Sequence, residues 1–243
     1  MERDLFGTYG NPAFEIRIVA KWIENYIFDE IIKSYDLLSY RIYKIFDEII
    51  KSYDLTGYRI YKNLNFQAGY DVEVVFETKD KKAITIKIEV KTEEYRWYSK
   101  TKNIGLDYIS AFKFRDKAYK NKIKNQGNWV SPEELNEFKR NITVKRDGKL
   151  YTCDADIQLF YCKLNETEAK FFAYCNECLK NLRTYFENHY PLRINDKASY
   201  DLDDTWESAA YFVNPEECPE LKKCEINSLD KLIECLKWAR RMI

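Results

Sequence analysis

Two stretches in the first half of the chain alternate between apolar and polar residues. Residues 71–77 and 83–91 each place an apolar side chain at every second position. Such alternation is typical of β-strands with one buried and one polar face. The polar residues 78–82 between them have the length of a hairpin connection. The pattern predicts two neighbouring strands with a common buried face. The polar face of the second strand carries Thr85, Lys87, Glu89 and Lys91.

An 18-residue unit is repeated in tandem just before these strands, as residues 27–44 and 45–62. The copies differ only where Leu38-Ser39 in the first becomes Thr56-Gly57 in the second. Because an α-helix has 3.6 residues per turn, the unit corresponds to about five whole turns. A helix lengthened by this unit therefore keeps its buried face in register.

The two differing positions predict how each copy is used. Leu38-Ser39 lets a helix continue, whereas Thr56-Gly57 is a helix-stop and turn signal. We predict one long helix over residues 12–53, a turn at 54–57 and a strand over 58–66. The alternative is a strand at the YRIYK segment of both copies.

The remaining elements follow from the same patterns. They are a loop at 93–105, a segment at 106–124 that is helical at least in part, a polar insertion at 127–146 with a helix start at 131–134, strands at 156–164, 170–175 and 208–213, and helices at 176–190 and, with Ser228 as its N-cap, 228–242. The order is helix, three strands, helix, two strands, helix, and then a C-terminal appendage. This order predicts a mixed α/β (α+β) fold, in which helices flank a central mixed sheet. We expect a core over 1–190, with the insertion, and an appendage over 191–243 packed on it.

Composition places the chain among globular proteins. Of its 243 residues, 45% are hydrophobic and 33% charged, and its 40 basic and 40 acidic residues cancel. Zero net charge argues against a protein that merely coats phosphates, but it is compatible with an acidic metal site beside a basic flank. The sequence contains no signal-peptide pattern and no long apolar run, so we expect a cytoplasmic protein that does not contact a membrane.

The polar face of the predicted strands carries a candidate centre for chemistry. Asp71 begins one strand, and Glu89 and Lys91 lie two residues apart on the next, so their side chains point the same way. Two converging carboxylates repel each other unless a cation lies between them. Carboxylate oxygens suit Mg²⁺, and Mn²⁺ can replace it. A lysine beside such an ion could hold or help deprotonate a water molecule that attacks a phosphodiester.

These residues resemble the motif of the PD-(D/E)XK nuclease superfamily. The match consists of Gly69-Tyr70-Asp71 and, on the next strand, Glu89-Val90-Lys91. Tyr70 stands where the motif has proline, which is a frequent variation. The resemblance implies a restriction-endonuclease-like or Holliday-junction-resolvase-like core of one helix, three strands, one helix and two strands.

The same resemblance implies roles for individual residues. Asp71 and Glu89 would bind Mg²⁺, the main-chain carbonyl of Val90 would be a further metal ligand, and Lys91 would be the catalytic lysine. Many members add a glutamate from the first helix, for which Glu15 is the first choice and Glu24 the second. Two further residues could face the site, Gln67 and Glu73. The resemblance also implies DNA as the substrate and a homodimer as a possible assembly.

Many basic residues are mixed with aromatic ones directly after the proposed catalytic strand, over residues 91–124. Basic residues contact phosphates, and aromatic rings stack on bases. The candidate nucleic-acid-binding residues are Lys100, Lys102, Lys113, Arg115, Lys117 and Lys120. The alternative is an ordinary solvated helix face whose aromatic residues lie in the core.

The seven cysteines and the single histidine limit other chemistries. Cys175 and Cys178 form a C-x-x-C, but no second pair has the short spacing usual in zinc sites, since Cys218 and Cys224 are further apart. We therefore expect buried, reduced thiols rather than zinc or an iron–sulfur cluster. His189 is the only histidine, which argues against a Ser-His-Asp triad. Because glycine-rich phosphate-binding motifs are missing, we expect no nucleotide cofactor.

The sequence as a whole favours a Mg²⁺-dependent DNA endonuclease. Three alternatives stay open. The chain could be a catalytically inactive member of the same fold that binds nucleic acid or a protein. It could be a transposon- or phage-type nuclease that acts on branched or single-stranded DNA. It could also be an unrelated α+β binding module in which the Glu89-Val90-Lys91 segment is only part of a strand.

Overall fold

The computed structural model describes residues 17–22, 58–62, 70–77, 83–165, 167–196, 206–227, 231–232 and 234–235. Within these ranges the protein is mixed α/β, with two five-stranded sheets and several short helices. The strands are β1 (Tyr58–Lys62), β2 (Val72–Glu77), β3 (Ala83–Glu93), β4 (Ile104–Phe114), β5 (Trp129–Val130), β6 (Ile142–Asp147), β7 (Ile157–Lys163), β8 (Ala169–Cys175), β9 (Leu192–Asn195) and β10 (Glu207–Val213). The helices are α1 (residues 17–22), α2 (Tyr95–Thr101), α3 (Lys117–Asn125), α4 (Leu135–Arg140), α5 (Lys149–Thr152), α6 (Asn176–Asn181), α7 (Arg183–His189) and α8 (Pro219–Cys224). Residues 231, 232, 234 and 235 are also helical.

The first sheet has the strand order β1-β2-β3-β7-β8. β1, β2 and β3 form an antiparallel meander, β7 pairs in parallel with β3, and β8 returns antiparallel to β7. A parallel pair needs a long crossover connection. In this chain the crossover between β3 and β7 contains three strands of the second sheet.

The second sheet is antiparallel throughout and has the order β5-β9-β10-β4-β6. It combines strands from the crossover with β9 and β10, which follow the helices α6 and α7. Strands from both sides of residue 190 therefore lie in one sheet. The division into a core and an appendage at that position stays a prediction.

Two hydrophobic cores lie on the two faces of the first sheet. Ile18, Val19 and Trp22 of α1 pack against one face, together with Ile86 and Ile88 of β3. The core between this sheet and the second one contains side chains of β7, β8, β4 and β10, among them Phe160, Tyr174, Leu106 and Tyr211. Because side chains alternate along a strand, Glu89 and Lys91 face the second sheet.

Only the second half of the segment predicted to be helical at least in part, 106–124, is a helix, and β4 occupies Ile104–Phe114. Irregular pairing on both sides of β4, around Ile109 and Ala111, shifts its register. The shift interrupts the alternation, and the buried residues then recur at spacings that resemble those of a helix. The second half of the prediction is confirmed, since α3 covers Lys117–Asn125 and Asp116 caps it through the N–H groups of Ala118 and Tyr119.

Other predictions compare as follows. The strands expected at 71–77, 83–91, 156–164, 170–175 and 208–213 and the helical region at 176–190 are confirmed, apart from end residues. Residues 58–62 form the strand expected there. The loop predicted at 93–105 is wrong, because β3 continues to Glu93 and the buried Tyr98 anchors α2. The polar insertion contains β5, α4 and β6. The helical residues 17–22 fall within the predicted long helix. The rest of that helix, the turn at 54–57 and Ser228 lie outside the described residues.

Candidate functional site

Asp71 and Glu89 lie next to each other on adjacent strands. Val72 is paired with Ile88, so the same antiparallel register brings Asp71 beside Glu89. Asp71 is held by both its main chain and its side chain. Its N–H donates to the Ile88 carbonyl at 3.0 Å, and its Oδ2 accepts from the Val90 N–H at 2.8 Å. The carboxylate therefore has a fixed position at the start of β2.

Glu89 is a buried carboxylate that contacts two ammonium groups. Only 4% of its surface is exposed. The Nζ of Lys91 lies 3.1 Å from its Oε1, and the Nζ of Lys149 lies 3.3 Å from its Oε2. A buried charge is costly unless it is paired and hydrogen-bonded. The two lysines supply that compensation.

Lys149 reaches the site from the second sheet through a tight turn after β6. Its own N–H donates to Asp107 Oδ2 at 3.1 Å, and the Gly148 N–H donates to the Tyr108 carbonyl at 3.1 Å. A Cβ at Gly148 would lie 2.0 Å from the main-chain oxygen of Asp107, so only glycine fits. The Asp107 carboxylate also accepts from the Ser110 hydroxyl at 2.6 Å. Asp107 and Gly148 thus set the position from which Lys149 contacts Glu89.

A buried amide pair supports the same turn from the first sheet. Gln158 is opposite Glu89 in the parallel pairing of β3 and β7. Its Nε2 donates to Asn176 Oδ1 at 2.7 Å and lies 3.4 Å from the Lys149 carbonyl. Asn176 in turn donates to the carbonyls of Cys153 and Ala155, both at 2.9 Å. These hydrogen bonds therefore connect residues at the ends of α5 with the start of β7, next to the site.

The charges of the cluster change the pKa values of its members. Burial and the neighbouring Glu89 charge raise the pKa of Asp71 to about 6, although the Val90 N–H, Lys91 and Lys149 oppose the rise. Burial lowers the pKa of Lys91, but the carboxylates of Glu89, Asp107 and Asp71 outweigh that effect and raise it overall. Lys91 is therefore protonated at neutral pH.

Glu93 extends the polar face of β3 toward the second sheet. Its Oε1 accepts from the Gly105 N–H of β4 at 2.7 Å. Burial raises the pKa of Glu93 to about 7, despite the opposing effects of that hydrogen bond and of Lys91. This side chain connects the two sheets at the edge of the site.

The donor set suits a hard divalent cation bound through two carboxylates. Asp71 and Glu89 face each other closely enough for the second charge to disfavour ionisation of the first. Mg²⁺ commonly uses only one or two protein carboxylates and keeps several waters. In the described part of the chain, no group of three or more His, Cys, Asp or Glu side chains is arranged to hold a metal ion. The two-carboxylate set fits Mg²⁺ if Lys149 or Lys91 releases Glu89.

The additional acidic and amide candidates are only partly within the described residues. Glu15, Glu24 and Gln67 lie outside them. Glu73 accepts from the hydroxyl of Tyr70 at 3.2 Å. Sequence reasoning did not find Asp107 and Lys149, since only the second sheet brings them to β3.

Three of the basic candidates lie on the surface beside aromatic rings or on an exposed helix. Lys100 is exposed in α2. The ammonium of Lys102 lies 5.7 Å from the centre of the Tyr98 ring. Lys113 lies 4.3 Å from the centre of the Trp206 ring, and Lys145 lies 4.7 Å from it. Lys113 lies on β4 and Lys145 on the neighbouring strand β6.

The other three basic candidates differ in how far their charge is compensated. Arg115 donates to the Thr143 hydroxyl at 3.1 Å, and Lys117 is exposed at the start of α3. Lys120 forms an ion pair of 2.6 Å with Glu207, which is 3% exposed. Because Glu207 is buried, Lys120 neutralises it and is a weaker candidate for a phosphate contact.

A further basic and aromatic cluster lies beside Glu93 and was not predicted. Phe212 pairs with Gly105, the residue that hydrogen-bonds to Glu93. The Arg193 guanidinium lies 5.1 Å from the Trp97 ring, 5.6 Å from the Trp129 ring and 5.7 Å from the Phe212 ring. Residues from α2, β5, β9 and β10 meet here, so only the tertiary structure could reveal the cluster.

The expectation that all cysteines are free thiols is wrong for one pair. Cys178 and Cys224 form a disulfide across 46 residues of sequence. The pairing brings α6 to the end of α8, a contact that spacing along the chain does not indicate. The other five cysteines form no disulfide and are buried.

In comparisons with known proteins, no protein-family model, no curated protein and no solved structure matches this chain. Among the described helices, none is long and apolar enough to cross a membrane.

Proposed function

We propose that this chain is a metal-dependent endonuclease that hydrolyses phosphodiester bonds in DNA and has a restriction-endonuclease-like core. The observation that carries the proposal is the cluster of Asp71, Glu89 and Lys91 on one face of the first sheet, with Lys91 3.1 Å from Glu89. The three strands β1, β2 and β3 and the later pair β7 and β8 lie in one sheet, which supports the implied count of strands, although three strands of the second sheet lie between the two groups along the chain.

In this proposal Asp71 and Glu89 hold Mg²⁺, with the carbonyl of Val90 as a further ligand. The ion would supply positive charge beside the scissile phosphate. Lys91 stays protonated, since neighbouring carboxylates raise its pKa. It therefore donates hydrogen bonds to the attacking water or to the phosphate rather than accepting a proton. Its fixed position contributes through orientation and electrostatics.

Lys149 adds a second cation at the same carboxylate. Glu89 would hold the metal in place of its 3.3 Å contact with Lys149, whose ammonium group could then contact a phosphate oxygen. The basic and aromatic residues around Trp206 and Arg193 provide surfaces for the sugar-phosphate backbone and for bases. A homodimer, in which each copy cuts one strand, is part of the same proposal.

One observation favours the alternative of a catalytically inactive protein with this fold. Both oxygens of Glu89 already contact an ammonium group, so its charge is compensated without a metal. Such a protein would bind nucleic acid or a protein partner and would not cleave.

The test is cleavage of supercoiled plasmid by purified protein with Mg²⁺ or Mn²⁺, beside an EDTA control. The variants are Asp71→Ala and Lys91→Ala, and the matched control is Lys180→Ala, whose ammonium lies 4.0 Å from Glu177 at the surface. We expect metal-dependent nicking or cutting by the wild type and the control, and a loss of at least about 100-fold in both site variants.

Cutting that survives both site substitutions would contradict the assignment of the site. If the wild type cleaves none of the four substrates, namely plasmid, branched DNA, single-stranded DNA and RNA, the alternative of a catalytically inactive protein holds. Size-exclusion chromatography with light scattering tests the homodimer separately.

A further inference from the structure

Four of the seven cysteines surround one cavity at the end of the first sheet. The cavity has a volume of about 160 Å³, and its cysteine lining consists of Cys175, Cys178, Cys224 and Cys235. Cys175 ends β8, Cys178 lies in α6, Cys224 ends α8, and Cys235 belongs to the last described helical residues. The fold thus brings sulfur atoms from three separate parts of the sequence to one place.

The four sulfur atoms lie in two close pairs. Cys178 and Cys224 share the disulfide, with their Cα atoms 5.5 Å apart. The thiols of Cys175 and Cys235 are hydrogen-bonded to each other. Cys235 also donates from its Sγ to the Asp156 carbonyl at 3.4 Å.

We propose that in the reduced chain Cys175, Cys178, Cys224 and Cys235 together bind one Zn²⁺ ion in a tetrahedral, structural site. With zinc–sulfur bonds of about 2.3 Å, the sulfurs of such a site lie about 3.8 Å apart. Both pairs line the same cavity, which is where the ion would bind. The C-x-x-C supplies two ligands, and the tertiary structure supplies the other two.

The disulfide accounts for the difference between this proposal and the structure as it stands. While Cys178 and Cys224 are bonded to each other, two of the four sulfurs are not available as ligands. In the described residues, no group of three or more His, Cys, Asp or Glu side chains is then arranged to hold a metal ion. A dithiol reductant delivers two electrons and two protons to the S–S bond and itself becomes a disulfide. Zn²⁺ then displaces one proton from each of the four thiols.

The zinc ion would fasten the last described part of the chain to the first sheet. Ile226, Leu232 and Cys235 pack into the same core as Cys175. Metal binding contributes directly to folding free energy, so the ion would add to this packing. The expected role is therefore structural and separate from the centre at Glu89.

The test measures metal content, thiols and spectra, without any assay of activity. The full chain is purified under reducing conditions without chelator, and zinc and iron are measured by mass spectrometry. We expect one zinc per chain, seven reactive thiols after denaturation with chelator, and a thiolate-to-metal charge-transfer band when Co²⁺ replaces zinc. Cys175→Ser and Cys224→Ser should each weaken zinc binding at least 10-fold. Cys162→Ser is the matched control, since Cys162 is fully buried in the other core.

Two results would overturn the proposal. One is reduced wild-type protein that takes up no Zn²⁺ and returns to five thiols on exposure to air, which would make the disulfide the native arrangement. The other is iron with acid-labile sulfide, which would indicate a cluster instead of a single ion. Because the Co²⁺ spectrum is recorded on the wild type, the number of thiolate ligands is measured even if a serine variant does not fold.

Discussion

At the residue scale, the candidate site is defined by the two ammonium groups that compensate the negative charge of Glu89. Its two oxygens contact Lys91 at 3.1 Å and Lys149 at 3.3 Å. Lys91 was predicted, because it lies two residues from Glu89 on one strand. Lys149 was not, because its contact depends on Asp107 of β4 and on Gly148 in the turn after β6. Any cation that binds Glu89 competes with these two ammonium groups.

This competition predicts the behaviour of Lys149→Gln. Removal of one ammonium leaves Glu89 with a single partner, so the metal-free protein should lose about 1–2 kcal/mol of stability. The same change should strengthen Mg²⁺ binding several-fold, since the ion no longer displaces Lys149. Urea unfolding and isothermal titration with Mg²⁺ measure the two effects. Weaker Mg²⁺ binding in the variant would show that Lys149 does not compete with the metal.

Asp71 is predicted to destabilise the metal-free protein at neutral pH. Its folded pKa is about 6, above the ordinary value of 3.8, so the folded state holds the proton more tightly than the unfolded state. The stability cost is absent below about pH 4, grows as the pH rises to about 6, and is complete above it.

Asp71→Asn keeps an oxygen for the Val90 N–H and removes the charge. At pH 8 without metal, we expect this variant to be about 1–2 kcal/mol more stable than the wild type, after allowance for solvent screening. The gain should vanish near pH 4. Denaturant unfolding at both pH values checks this expectation, and equal stability at pH 8 would contradict it.

At the element scale, β4 decides the architecture of the second sheet. It lies between β10 and β6 and also carries Asp107 to the site. Irregular pairing near Ile109 and Ala111 interrupts its alternation. Periodicity within the segment could not separate a strand of this kind from a helix, because the irregularity depends on its pairing partners.

The turn after β6 requires glycine at position 148, because a side chain has no space there. Gly148→Ala would place a Cβ 2.0 Å from the main-chain oxygen of Asp107, so β4 and the turn must separate. We expect a loss of about 1–3 kcal/mol or more in thermal or urea unfolding, because overpacking forces the backbone to shift.

Gly105→Ala is the matched control for this change. Its Cβ would meet Glu93 Oε1 at 3.4 Å and Phe212 at 3.6 Å, which are tolerable contacts. We expect a loss below about 1 kcal/mol. Equal losses in the two variants would mean that the close approach at Gly148 does not hold the turn.

At the scale of the whole molecule, the site lies where the two sheets meet. β3 supplies Glu89, Lys91 and Glu93, and the second sheet supplies Asp107 and the turn of Lys149. Glu93 makes a direct link, since it accepts from the Gly105 N–H at 2.7 Å. Its protonation should therefore influence how firmly the sheets hold together.

Glu93→Gln tests this link through the pH dependence of stability. The folded pKa is about 7, above the ordinary 4.5, so the wild type loses stability as the pH rises from about 4.5 to 7. Glutamine retains an acceptor for Gly105 and has no charge to desolvate. The variant should be about 1–3 kcal/mol more stable than the wild type at pH 8 and similar to it near pH 4.5. A constant difference across this range would rule out titration of Glu93 as the cause.

The sequence by itself determined the strands of the first sheet and the residues on their polar face. Alternation within residues 71–77 and 83–91 is a local property, and it predicts which side chains share a face. It therefore placed Glu89 and Lys91 together and suggested Asp71 as their neighbour. The helices after β8 were also predictable, because apolar spacing of that kind is local too.

Only the tertiary structure decided which distant segments complete these features. The second sheet, the Lys149 contact and the meeting of Cys175, Cys178, Cys224 and Cys235 join residues far apart in the chain. Spacing along the sequence predicts contacts within a strand, a helix or a hairpin. It does not predict pairing between segments, which depends on burial of whole faces and on the close approach of backbones, as at Gly148.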